Sequence, residues 1–278
     1  MELGTYAENT WCKGCGNFGI LTAVKRAVKI LAERGIPKEY LVISAGIGCH
    51  AKIFDYLNMS GLYSIHGRSM ATIQGMKVAN PDLKVITFAG DGDAYGEGIA
   101  HVIFAAKRNA DITVVVHNNG VYGLTTGQYT PTSEKGFKGR STPRGSIEEP
   151  LNPLTLLLEA GATFLGRAYS GKIDNMAHTM VRAVEHEGFS FIDVLQPCVS
   201  YNNTYNLYNE LTEELDETPR TLKEALEIAR TKDRLYIGTI YETEKPVFHK
   251  ELYGDWNPVV DSLSREERIK RINNLLKK

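Results

Sequence analysis

A chain of 278 residues with 42% hydrophobic and 23% charged side chains has the make-up of a folded globular protein, enough for one large domain or two at roughly 150 residues each. Its 32 basic side chains against 33 acidic ones leave a net charge of -1, which argues against a nucleic-acid partner. The longest apolar runs, such as 154–158 and 114–116, fall far short of the roughly 18 residues of a membrane span, and the amino terminus lacks a charged-then-apolar leader, so a cytoplasmic protein without membrane contact is expected.

In chain order, the first feature is the W-C-x-x-C of Trp11, Cys12 and Cys15. A helix is expected over 17–34, because Ile20, Leu21, Val24, Ala27, Val28 and Leu31 recur at helical spacing and Gly35 and Pro37 stop it. The cysteine pair therefore lies in a loop before a helix. The run "LVISAGIGCH" reads as a strand that delivers Cys49 at its carboxyl end, and a loop through "SIHGRSM" leads to a helix over 70–79, closed by Pro81.

Three further alternations follow: "KVITFAG" and a helix over 97–109, "ITVVVHNN" and a long loop, then "ATFLG" and a helix over 173–187. The strand "SFIDVLQPC" ends at Cys198. This alternation predicts an α/β fold, an open and mostly parallel sheet with helices on both faces, whose ligands bind at the carboxyl ends of the strands. The loop 120–152 is Gly/Thr/Ser/Pro-rich and too long for a plain connection, so it is expected to be a lid or binding loop. Beyond Cys198 a helix over 221–231, a strand over 235–240 and a basic amphipathic end over 264–278 are expected, without a βαβ pattern. His101, His117, His178 and His186 have no spacing that points to a metal or a triad and are read as structural.

"FAGDGDAYGEG" sits between a strand and a helix. Gly90 and Gly92 allow the backbone to approach a phosphate, and Asp91 offers a carboxylate between them. Magnesium needs more than one oxygen ligand. A second group can come from "HNNGVYG", since 25 residues separate Gly92 from Asn118, enough for a helix and a strand to return the chain alongside. The pair resembles the GDG and NN signature of thiamine-diphosphate enzymes. That resemblance implies Asp91, Asn119 and the Val121 carbonyl as the magnesium ligands, with Gly90, Gly92 and Asp93 beside the cofactor.

Cys12, Cys15, Cys49 and Cys198 are separated by 2, 33 and 148 residues. Their number suits tetrahedral zinc or a 4Fe-4S cluster, and count alone does not separate the two. A thioredoxin-type disulfide is disfavoured, because nothing strand-like precedes Trp11. Beside a thiamine cofactor the cluster is favoured: electrons released singly after decarboxylation need a one-electron acceptor, and zinc has no redox chemistry.

"WCKGCGNFGIL", "SAGIGCHAKI", "HGRSMATIQGMKVANPDLKVITFAGDGDAYGEG", "HNNGVYGLTTGQYTPTS" and "GATFLGRAYSG" together resemble the β subunit of 2-oxoacid:ferredoxin oxidoreductases. The resemblance implies that all four cysteines hold one 4Fe-4S cluster. It also implies that Ile47, Gly48, Cys49 and His50 border the diphosphate and that His66, Gly67, Arg68 and Ser69 lie near the cofactor. Gly123 and Leu124 would face the thiazolium ring and substrate, and Lys52, His66 and Leu124 would stand close to the reaction.

Residues 1–200 would then form the cofactor and cluster domain and 201–278 an extension packing on the core or a partner. Thiamine activation requires a Glu from a pyrimidine-binding domain, and no segment of this sequence is expected to form one. An α subunit would supply it together with the coenzyme A site, and ferredoxin would take the electrons. The sequence leaves the choice of 2-oxoacid open. A non-oxidative thiamine decarboxylase or carboligase would not need four cysteines; a zinc-stapled subunit without activity would gain nothing from the GDG and NN pair.

Overall fold

Val, Ile and Phe cluster in short runs punctuated by Gly, Asn and Pro, and in the computed structural model, which describes residues 2–261 and 263–277, these runs form one sheet. Lys278, the end of the expected terminal helix, and Met1, the start of the expected first domain, lie outside the described residues. The strands are β1 (Leu41–Ala45), β2 (Ser60–Tyr63), β3 (Lys84–Gly90), β4 (Ile112–Asn118), β5 (Phe164–Tyr169), β6 (Phe189–Leu195), β7 (Thr212–Glu214) and β8 (Leu235–Glu242). Their order is β2-β1-β3-β4-β6-β5-β8-β7. The first six pair in parallel, β8 runs antiparallel to β5, and β7 is parallel to β8. The fold is the expected open, mostly parallel sheet.

The helices are α1 (Asn17–Glu33), α2 (Ser69–Ala79), α3 (Ile99–Lys107), α4 (Pro153–Ala160), α5 (Ile173–Glu185), α6 (Tyr205–Leu211), α7 (Leu222–Arg230), α8 (Phe248–Tyr253) and α9 (Arg265–Leu275). Because side chains alternate across a strand, the central strands feed two cores. Phe88, Val115 and Ile192 pack beneath α1 and α5, whereas Val85, Ala89, Val114 and Phe191 pack on the other face with α2, α3, α4 and α7.

Three differences from the expected elements have physical reasons. The helix expected from residue 97 begins at Ile99, because Gly92–Glu97 winds as a single wide π turn directly after Asp91. Helix α4 is marked by an Asn152 cap that accepts from the Leu154 and Thr155 N–H groups, by Pro153 at its first position and by Gly161 in the left-handed region at its end. After Cys198, β7, α7 and β8 do form a parallel βαβ unit, which corrects the expectation that none exists there. Strand β7 spans three residues, Thr-Glu-Glu, with no buried side chain, so it leaves no alternating signature.

Candidate active site

The chain leaves β1 toward β2 on one side and leaves β3 toward β4 on the other, so a crevice opens between the carboxyl ends of β1 and β3. Into it face the 46–50 loop after β1, the 91–93 turn after β3 and the 119–124 segment after β4. A pocket there is lined by Ile47, Gly48, Cys49, His50, Gly90, Asp91, Gly92, Asp93, His117, Asn119, Val121, Tyr122, Gly123 and Leu124.

Asp91 is buried and its carboxylate is surrounded by donors: Thr130 and Thr132 give their hydroxyls to Oδ2, Thr132 at 2.7 Å, and the Asn119 N–H approaches Oδ1 at 3.4 Å. Burial pushes its carboxyl above the ordinary range despite those donors. Asn119 Oδ1 accepts from the Val121 N–H at 3.0 Å, and Asn202 donates to the Asn119 carbonyl at 2.8 Å. Asp91, Asn119 and Val121, which follow adjacent strands, thus line one pocket and bring a carboxylate and an amide side chain into it. The 120–152 loop is tied down at this point, with Thr130 and Thr132 on Asp91 and Ser133 donating to the Gly120 carbonyl at 2.6 Å.

Asp93 lies on the opposite wall. The Gly67 N–H donates to Oδ1 at 2.8 Å, His66 Nδ1 lies 2.7 Å from the same oxygen, and His50 Nε2 lies 3.5 Å from Oδ2. Burial alone would raise the carboxyl, but His50, the Gly67 N–H and His66 outweigh it and hold Asp93 below the ordinary carboxylate range. Asp93 Oδ2 and His50 Nε2, 3.5 Å apart, are buried with no better aligned hydrogen-bond partner. Gly46 allows the approach: a Cβ there would stand 1.8 Å from Asp93 Oδ2. Gly46→Ala should therefore cost about 1–3 kcal/mol of stability through overpacking, measured as a lower urea midpoint at unchanged slope.

The four cysteines line a second cavity with Trp11, Asn17, Lys52, Gln196 and Ser200. Gly14, in the left-handed region at φ +83°, turns the chain so that the Cys15 N–H donates to the Cys12 carbonyl at 3.0 Å. The same loop is held against the strand ends by Gly16 N–H to the Pro197 carbonyl and by Trp11 Nε1 to the Cys49 carbonyl at 2.6 Å. Gly123 leaves room between Cys49 and Cys198, since a Cβ there would lie 3.5 and 3.9 Å from their sulfurs. All four thiols are free, and Cys12 is exposed. Burial pushes the Cys15 thiol up to about 11 against a hydrogen bond from the Asn17 N–H, and the other three sulfurs add to the rise. A buried thiol such as that of Cys15 becomes a thiolate at neutral pH when it gains a bound cation. Cys49, Asn119 and Gly123 line both cavities, so the two share a wall.

Most residues singled out in the sequence meet in these two cavities. Lys52 faces the cysteines, donating to Thr10 at 3.0 Å, rather than the Asp91 pocket. Arg68 and Ser69 line neither: the Arg68 guanidinium meets His101 Nε2 at 2.6 Å, and Ser69 is buried at the start of α2. His66 stands at the rim, with its side chain 37% exposed. Thr130, Thr132, Tyr122 and Gln196 join these cavities with almost no local sequence signal, and His117, expected to be structural, joins them too. His117 lines the Asp91 pocket and its Nδ1 lies 2.8 Å from Asn17 Oδ1. Only the Thr-rich "TPTS" after the metal motif hinted at the hydroxyls.

Comparison with known proteins identifies the family. Residues 46–194 match the family model of the thiamine pyrophosphate enzyme C-terminal TPP-binding domain, and residues 198–254 match the model for the C-terminal part of the pyruvate ferredoxin oxidoreductase beta subunit. A 2-oxoacid:ferredoxin oxidoreductase subunit beta of Saccharolobus solfataricus is 38% identical over 268 residues, covering 90% of this chain and 87% of that one. The 2-oxoglutarate synthase subunit KorB of Archaeoglobus fulgidus is 34% identical, covering 91% and 89%. Among solved structures, the 2-oxoglutarate:ferredoxin oxidoreductase from Magnetococcus marinus, with 2-oxoglutarate, coenzyme A and succinyl-CoA bound, superposes with a TM-score of 0.86 at 34% identity over 92% of each chain. With the Asp91 and Asn119 pocket beside a four-cysteine cavity, the chain belongs to the β-subunit family of the 2-oxoacid:ferredoxin oxidoreductases.

Proposed function

We propose that this chain binds thiamine diphosphate, magnesium and one 4Fe-4S cluster in a cytoplasmic enzyme that oxidatively decarboxylates a 2-oxoacid. The acyl group goes to coenzyme A and electrons pass singly to ferredoxin. The observation that carries this reading is the shared wall: Cys49 and Gly123 border both the Asp91 pocket and the cavity of the four cysteines. Electron transfer out of the cofactor site then needs no long path.

The residues fit both groups. Asp91, Asn119 and the Val121 carbonyl would hold magnesium, and the glycines at 90 and 92 leave the backbone open to a diphosphate. Four sulfurs line one cavity, and their number suits a 4Fe-4S cluster. Bound in these places, thiamine diphosphate supplies the nucleophilic carbon for the oxoacid carbonyl, and the cluster accepts electrons one at a time.

The chain's own side chains orient and balance charge. Asp93, held ionised between His50 and His66, keeps both imidazoles turned to the pocket wall. His66 at the rim can exchange a proton with solvent or substrate, and Leu124, 49% exposed, meets the substrate side chain. Burial pushes the Cys49 thiol up, and the Lys52 ammonium works against that rise by favouring the thiolate. An α subunit would complete the site with the pyrimidine-binding Glu and the coenzyme A site, in keeping with the coenzyme A and 2-oxoglutarate bound by the Magnetococcus marinus enzyme.

Anaerobic purification followed by iron, acid-labile sulfide and zinc analysis tests the proposal. About four irons and four sulfides per chain, with a low-temperature electron paramagnetic resonance signal after dithionite reduction, are expected. One zinc and no sulfide would remove the cysteines from redox chemistry and leave a non-oxidative thiamine enzyme or a structural subunit.

A further inference from the structure

Gln196 is the first residue beyond β6 and lies two positions before Cys198. Its N–H donates to the Asn118 carbonyl at 2.9 Å, which continues the β4 and β6 ladder, and its side chain is only 1% exposed. Pro197 keeps the backbone before it extended.

The orientation of its amide follows from its neighbours. Asn119 Oδ1 is engaged by the Val121 N–H, so the Asn119 NH2 group points the other way and donates to Gln196 Oε1 at 2.9 Å. Gln196 Nε2 then faces two acceptors, the Pro197 carbonyl at 2.6 Å and Cys15 Sγ at 3.6 Å. One buried amide therefore touches both the Asn119 side chain and a cysteine sulfur.

We propose that Gln196 is a positioning residue that links the two cavities, aiming the Asn119 carbonyl oxygen at magnesium through one end and donating to the Cys15 sulfur through the other. The inference rests on the proposed function. A donor at a ligating sulfur favours the reduced, more negative cluster. An outer partner that fixes a ligand's orientation governs metal affinity.

Two variants of the assembled, anaerobically prepared enzyme separate the two ends. Gln196→Leu removes both contacts: magnesium affinity, read as the concentration that supports thiamine diphosphate binding, should weaken roughly 10–100-fold, and the cluster midpoint should become more negative. Gln196→Glu keeps an acceptor for Asn119 but presents no amide donor to Cys15, so magnesium affinity should be largely restored while the midpoint stays low. Both quantities are read by magnesium titration and by redox titration followed with electron paramagnetic resonance.

A midpoint unmoved in both variants, or magnesium affinity unmoved in Gln196→Leu, would overturn the link. Equal losses of both properties in both variants would mark a packing defect and overturn it as well. If the unaltered enzyme holds no iron and sulfide, the proposed function itself falls, an outcome visible before any variant is made.

Discussion

Asp91→Asn is expected to abolish magnesium-dependent thiamine diphosphate binding while leaving the iron–sulfur signal in place. The substitution is nearly isosteric and keeps an oxygen for the Thr130 and Thr132 hydroxyls, but it removes the one carboxylate among the three proposed magnesium ligands. Loss of an outer partner alone costs roughly 10–100-fold in metal affinity, so loss of this direct charge should exceed that range. Burial already pushes the Asp91 carboxyl upward, which means that its ionised form is held against a desolvation cost in the cation-free protein. Without magnesium the variant should unfold within a few degrees of the unaltered protein, since relief of that desolvation cost is set against the lost acceptor for the Asn119 N–H. With magnesium and thiamine diphosphate the unaltered protein alone should gain, because a ligand that binds only the folded state stabilises it in proportion to the logarithm of its saturation. Thermal unfolding with and without the two additions reads this directly; equal gains in both proteins would remove Asp91 from the magnesium site.

How much of this site could be read in advance depended on distance along the chain. "KVITFAG" and "ITVVVHN" were legible because strands buried on both faces are continuous apolar runs ended by Gly or Asn, and each ends where its functional residues begin. Asp91 and Asn119 were legible because a βαβ unit fixes how far apart two strand-end residues fall. Thr130 and Thr132 lie in an irregular loop, and their contact with Asp91 depends on a fold-back that no local pattern encodes. Gln196 has the same difficulty across 77 residues to Asn119. Arg68 carries the right charge for a phosphate, yet its guanidinium is held by His101, one helix further along. His117 has no sequence spacing that points to a metal or a triad; its contacts, Asn17 and His50, come from other elements.

Cys12→Ser should produce the converse of the Asp91 result. Cys12 is exposed and its sulfur accepts from Ser200 Oγ at 3.3 Å, so the change should move stability by no more than about 0.5 kcal/mol. Any large effect then belongs to the metal centre rather than to folding. A serine hydroxyl is a harder and far less acidic ligand than a thiol and holds iron poorly against oxygen. Iron and sulfide content should fall, the reduced-cluster signal should vanish or change shape, and ferredoxin reduction should drop at least about tenfold, the lower bound for disturbing even an outer metal partner. Magnesium and thiamine diphosphate should still bind, because Cys12 lines the cysteine cavity and has no place in the Asp91 pocket. Carbon dioxide release in a single turnover should likewise survive better than electron delivery. The two readouts separate two failures: an intact cluster would strike Cys12 from the ligand set, whereas a lost cluster with undiminished ferredoxin reduction would take the cluster out of the electron path.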